Sequence, residues 1–246
     1  LFNGENIWPE KLVLFWHQYA FWLLSLILTS ECAYIVDRLV SEGPAWSYCA
    51  WGVVPGSMVL ALLTRGDRLA WPVKRFHDAY FKIGAALPVA YLFIWAVVAN
   101  FYHGDPSPLS FVPLLNPVAL SQIYLLLIVL MWISSQAAWL HRPERNFNSR
   151  ILTMVVWAAG FLLINATVAR TIHHWGNIPY TFDGLYRSVL FQAAISILWG
   201  VIALVVTFGA TKKHSRPAWI AGATILCLVV IKLFFVDLAG TGTVAR

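Results

Sequence analysis

Seven stretches of this chain stay apolar for about 20 residues at a time, and that repetition decides most of what it can fold into. They run over roughly 12–36, 45–63, 83–102, 118–140, 150–170, 188–210 and 217–238. An α-helix of about 20 residues crosses the hydrocarbon layer of a bilayer with every backbone group bonded internally, so lipid is the solvent these stretches suit. Breakers separate them: "SEGP" at 41–44, "HGDPSP" at 103–108 and "HRPERN" at 141–146. "HSRP" at 214–217 sets Pro217 at a helix start, where its missing N–H does no harm. Charged residues make up 11% of the chain, against about 25% in soluble domains. One globule could not hide the apolar remainder, and the 13 tryptophans suit the membrane–water boundary. Alternating ten-residue segments, the mark of a membrane β-barrel, do not occur. The expected fold class is all-α: a polytopic integral membrane helical bundle of about seven transmembrane helices, forming a single transmembrane domain over 1–246.

The basic residues give this bundle a direction. Arg65, Arg68, Lys74, Arg75 and Lys82 fall in the 64–82 loop, Arg142, Arg145 and Arg150 in 141–150, and Lys212, Lys213 and Arg216 in 211–216. The alternate loops are poorer, with Arg38 in one, no Lys or Arg in another, and Arg170 and Arg187 at the edges of the third. With seven spans, every basic loop lies on one side. The positive-inside rule makes that side cytoplasmic, with the N-terminus cytoplasmic and the C-terminal end periplasmic. The net charge of +6 is therefore spent on topology and forms no stripe for nucleic acid. The chain opens on "LFNGENIWPEK" without an initiator Met or a cleavable leader pattern, and ends at Arg246. A fragment of a longer multi-span protein is the expectation.

Three segments carry local expectations. "WPVKRFHDAYFK", 71–82, is basic and aromatic, either a short helix along the inner interface or a solvated loop. "LSFVPLLNPVAL", 109–120, is apolar but twice broken by Pro and too short to span. Gly52 and Gly56, with Pro55 between them, have the spacing that lets helices approach closely, and a packing role is expected over a gating hinge. Cys32, Cys49 and Cys227 form no CxxC pair and are expected as free thiols.

Polar residues then stand out against the apolar background. Lys232 lies in the outer third of the last span and Asp237 at its outer end, about 140° apart around the helix. Each therefore needs its own partner. The same level holds Glu31 in the first span, Asn165 and Arg170 in the fifth, and His173, His174, Asp183 and Arg187 in "RTIHHWGNIPYTFDGLYRS". An ionisable group at mid-span costs about 2.5–3.5 kcal/mol on insertion scales, and a lysine near an end lowers that cost by snorkelling. Lys232 is thus either a snorkelling anchor or a wall of an outward-facing polar pocket, turned toward Glu31 or a ligand anion. Asp237 would turn toward Arg170, Arg187 or a histidine. The adjacent histidines lack HxxxH or HExxH spacing, so no metal is expected. No nucleophile elbow, P-loop or dinucleotide fingerprint occurs; no cofactor is expected, and catalytic residues stay unknown.

"NPVAL" (116–120), "FLLINATVARTIHHWGNIPY" (161–180), "SVLFQAAISILWGVIALVV" (188–206) and "KLFFVDLAGTGTVAR" (232–246) together resemble the C-terminal membrane region of large bacterial proteins grouped as domain of unknown function 2339. The resemblance implies more spans than this chain holds, often behind an N-terminal coiled coil. It also adds Gln192 to the candidate pocket and matches Arg170, His173, His174, Lys232, Asp237 and Arg246 to recurrent positions. It brings no agreed activity. The expected function is a multi-pass protein of the bacterial inner membrane that binds or translocates a polar or amphiphilic envelope substrate. The rivals are a membrane-embedded enzyme acting on an envelope lipid or glycan, with Asp237, Glu31 or the histidines as acid or base, and a scaffold subunit of an envelope assembly. Expected partners are membrane lipid, an envelope lipid or glycan ligand, and further helices or subunits.

Overall fold

A computed structural model describes residues 8–40, 43–136 and 149–237 of the chain. Among these residues all regular structure is helical. Helix α1 is Glu10–Leu39, α2 Pro44–Arg65, α3 Ala85–Val98 and α4 Pro117–Ser135. Helix α5 is Ser149–Gly176, α6 the short Phe182–Arg187, α7 Val189–Lys212 and α8 Arg216–Lys232. Among the described residues, seven helices are long and apolar enough to cross a membrane: Lys11–Leu39, Pro44–Arg65, Ala79–Phe101, Pro117–Ser135, Met154–Gly176, Val189–Lys212 and Arg216–Phe235. The fold is thus the all-α polytopic bundle that the apolar runs imply.

Helix starts follow local chemistry. Pro44, Pro117 and Pro217 occupy first turns, where no N–H is required. Asn116 caps α4 by accepting from the Ala119 N–H at 2.9 Å, and Ser188 caps α7 by accepting from the Phe191 N–H at 3.2 Å. Polar side chains inside the spans turn back to their own helix. Thr29 donates to the Ser25 carbonyl, Thr64 to Leu60 and Thr167 to Leu163, so these hydroxyls enter lipid already bonded.

Contacts divide the chain into two compact units, Leu1–Thr167 and Val168–Arg246, with the division falling inside α5. In the first unit α2 packs on α1, α3 and α4. Val59, Leu92, Val118, Leu125 and Ile128 form its fully buried centre. The Gly52–Gly56 pair lies where α2 meets α4: a Cβ on Gly56 would stand 2.5 Å from Leu125 Cδ2, and one on Gly52 2.7 Å from Leu125 Cδ1 and 3.0 Å from the Trp95 ring. That is the close approach the spacing implies. The basic 71–82 segment is largely helical rather than a solvated loop. It winds into wide helical turns at Ala70–Lys74 and Ala79–Gly84 that run into α3, burying Val73, Tyr80 and Phe81. Lys74, Arg75 and Asp78 stay exposed, while Lys82, only 19% exposed, bonds Asp78 at 2.5 Å, and that bond holds the Asp78 carboxyl below its ordinary range. All three cysteines carry free thiols.

Two prolines sit within the spans of this unit, Pro55 in α2 and Pro88 in α3. Proline cannot donate to the carbonyl four residues back, so Pro55 releases Trp51 O and Pro88 releases Gly84 O. Both are taken up by aromatic donors from a neighbouring helix. The Tyr91 hydroxyl donates to Trp51 O at 3.0 Å, and the Trp22 indole N–H to Gly84 O at 2.8 Å. A double substitution checks this pairing. Trp22→Phe should destabilise the protein by about 1 kcal/mol, the size of a hydrogen bond within a membrane bundle. The same change in a Pro88→Ala background should cost much less, because the backbone N–H that alanine restores at that position then serves the carbonyl. Thermal unfolding in detergent reads the difference, and equal costs in both backgrounds would show that the bond contributes nothing.

In the second unit α7 and α8 form an antiparallel pair. Gly222 allows their close contact, since an added Cβ would fall onto Thr207 Oγ1 and within 3.1 Å of Ala203 O. Outward faces stay apolar, with Ile197, Val201, Leu204 and Phe208 of α7 exposed. Such a face suits lipid tails, which are as apolar as the side chains themselves.

Candidate functional site

The polar residues singled out from the sequence divide between the units. Glu31 and Asn165 belong to the first, the other eight to the second. Glu31 is exposed on α1, and Asn165 donates to the Phe161 carbonyl of its own helix at 2.7 Å.

In the second unit the end of α5, the connection through α6 and the start of α7 bring most of the remaining residues together. Arg170 is fully buried, two turns before α5 stops at Gly176. Asn177 then turns the chain with a positive φ of 52°, a conformation Asn tolerates better than most residues. The turn carries the Ile178 carbonyl back to His173 Nδ1 at 2.7 Å. A carbonyl only accepts, so His173 Nδ1 carries a proton in this bond. His174 meets the His173 ring edge-on at 4.7 Å, and Tyr180 meets it edge-on at 5.7 Å. Burial pushes the Tyr180 phenol above its ordinary value, and the positive charge of Arg170 pulls it partly back. The phenol therefore stays protonated at neutral pH.

The next group is held by α6, α7 and α8. Asp183 and Arg187 pair with each other one turn apart at 2.8 Å, both largely exposed. Gln192 donates to the Tyr186 carbonyl at 2.9 Å, fastening α6 to the start of α7. Lys232 reaches across from α8, where its amine donates to Ser196 Oγ at 2.7 Å and to the Gln192 carbonyl at 3.0 Å. The acceptors on α7 are thus neutral oxygens where a carboxylate was expected. The amine is held between helices, which is not the posture of a snorkelling anchor. Asp237 closes the wide helical turn Leu233–Asp237 after α8; its side chain, and with it the expected pairing to Arg170, Arg187 or a histidine, lies outside the described residues, as does Arg246.

Two contributors escaped the sequence reading, Tyr180 and Ser196. Ser196 stands four residues after Gln192, on the same face of α7, and that spacing was a usable signal. Tyr180 carried none, since its place depends on the turn at Asn177. The geometry forms two groups, Arg170, the two histidines and the half-buried Tyr180 around the end of α5, and Lys232, Gln192 and Ser196 between α7 and α8. Such a set can hold an anionic or hydroxyl-rich group. Among the described residues no three His, Cys, Asp or Glu side chains gather in a way that could hold a metal ion.

A protein-family model described as "Predicted membrane protein (DUF2339)" matches residues 2–246. No curated protein and no solved structure matches the chain.

Proposed function

The chain belongs to this family of predicted membrane proteins, and from that premise we propose that it binds or translocates a polar or amphiphilic envelope substrate at the outward end of its helices, as a multi-pass protein of a bacterial inner membrane. The observation that carries the reading is the placement of Arg170 and Lys232. Each lies within an otherwise apolar span, Arg170 fully buried and Lys232 half-buried, at the end of the second unit where α5 stops, α7 starts and α8 finishes. A cation in such a position is costly to insert and marks a substrate path or a headgroup site more often than a packing contact. The Lys/Arg-rich loops 64–82, 141–150 and 211–216 support an outward direction for this end.

The test has two parts. Single-cysteine labelling of intact cells should modify positions near 105 and 178 and spare 64–82, 141–150 and 211–216; labelling of 64–82 from outside overturns the direction. In nanodiscs of neutral lipid, a short-chain phosphatidylglycerol should raise the melting temperature saturably. Arg170→Gln should abolish that shift while the protein stays folded. A shift that survives Arg170→Gln, or none in the parent protein, removes the headgroup site.

A further inference from the structure

We propose that the recess between α1, α2 and α3 is a binding site for one acyl chain of a membrane lipid. The recess has a volume of about 300 Å³. Its floor is made by Ser25, Thr29, Pro55 and Pro88, all buried, and Leu26 and Leu87 stand at its rim, 57% and 55% exposed. All these residues lie at least seven positions inside their spanning segments, roughly 10 Å of helix. A helix bundle that crosses the bilayer therefore opens this recess within the hydrocarbon layer.

The walls select an apolar occupant. The two prolines that shape the floor release Trp51 O and Gly84 O, which would otherwise call for a polar ligand. Tyr91 and Trp22, also in the lining, bond both carbonyls, and Thr29 gives its proton to the Ser25 carbonyl. What remains facing the space is chiefly carbon: aromatic faces, proline rings and leucine methyls. Water needs two to four polar partners to stay in a cavity, and the Tyr91, Trp22 and Thr29 donors here are already bonded to the freed carbonyls and to the Ser25 carbonyl, which leaves little beyond the Ser25 hydroxyl. An empty recess forfeits the dispersion contacts of its lining. A lipid tail is slender, flexible and present at high concentration at this depth, so it is the occupant that fits. The proposal rests on the spanning architecture alone and is independent of the polar end of the second unit, so either can fail without the other.

The experiment uses the full chain in phosphatidylcholine nanodiscs doped with a phosphatidylcholine bearing a diazirine at mid-chain. After irradiation, adducts are mapped by peptide mass spectrometry. Adducts on Trp22, Leu26, Trp51 and Leu87 should exceed those on exposed Ile197 and Leu204 of α7 by about threefold. The ratio is modest because lipid tails and walls are equally apolar and only packing distinguishes the site. Ser25→Phe fills the floor and should remove the excess while α7 labelling stays. Leu87→Trp narrows the mouth and should do the same, so the result does not depend on either variant folding. Equal labelling at the two places, or an excess that survives in a filled variant that folds, overturns the proposal. So does crosslinking of α1–α3 to a second copy of the chain in place of lipid.

Discussion

Gly56→Leu should destroy the first unit as a folded body. The Cβ alone would stand 2.5 Å from Leu125 and 3.4 Å from Ile128 and Tyr124, and the rest of the leucine would have nowhere to go. Leu125 is fully buried and Ile128 nearly so, so neither can swing aside into open space. Overpacking a filled core costs about 1–3 kcal/mol and more where backbone must move. Here α4 itself would have to retreat from α2, so a loss of at least about 3 kcal/mol is expected. Gly200→Ala provides the contrast. Its Cβ meets nothing within 4 Å, and alanine in a helix is favoured over glycine by about 1 kcal/mol. Monodispersity after graded heating in detergent should rank Gly200→Ala at or above the parent protein and Gly56→Leu far below both. Equal melting of Gly56→Leu and parent would mean that α2 and α4 do not touch at this glycine.

Lys232→Met should cost about 2–3 kcal/mol, the range for a hydrogen-bonded charged group whose partners are left behind. Methionine matches the length and the lipid solubility of the lysine stem, so a lysine that only reached for headgroups would tolerate the change. In this structure the amine bonds Ser196 Oγ and the Gln192 carbonyl, and removing it leaves both without that donor. A cycle with Ser196→Ala isolates the link. The double variant should be less damaged than the two single losses added together, since Ser196→Ala has already removed one of the two bonds. Additive losses would place the amine elsewhere and sink this account of α7–α8 fastening.

Some of this architecture was readable in one dimension and some was not. Apolar length is a property of a segment by itself, so the spans emerge from the sequence with boundaries off by a few residues; the fourth apolar run, for example, extends to 140 where α4 ends at Ser135. Gly52 and Gly56 announced close packing through spacing, although nothing said that α4 would be the neighbour. Pro88 went unnoticed inside an apolar run, and Trp22 and Tyr91 looked like boundary aromatics until the carbonyls freed by the prolines showed what their polar atoms do. The candidate site suffered most from reasoning by charge. Lys232 was matched with Glu31 or a ligand anion, a rule that cannot foresee neutral acceptors such as the Gln192 carbonyl and the Ser196 hydroxyl that α7 supplies. Asp183 and Arg187, spaced as helix neighbours, were seen as separate members of a pocket and instead hold each other. The grouping of Glu31 and Asn165 with the rest came from depth in the membrane alone; those two belong to the first compact unit and the other eight to the second.

The glycine contact between α2 and α4 also imposes a schedule. Leu125 is made roughly 70 residues after Gly56, and ribosomes add about 5–20 residues per second. For about 3–14 s after Gly56 joins the chain, the residue that fills the notched side of α2 has not yet been made. During that interval the notch meets the ribosomal tunnel, then the translocation machinery, lipid or the arriving α3, none of which carries the Leu125 methyls that close it. The step that closes the glycine notch of the first unit is therefore the arrival of α4, a late event in its synthesis, and a chain stalled before Pro117 holds α2 in the membrane without the neighbour that its glycines fit.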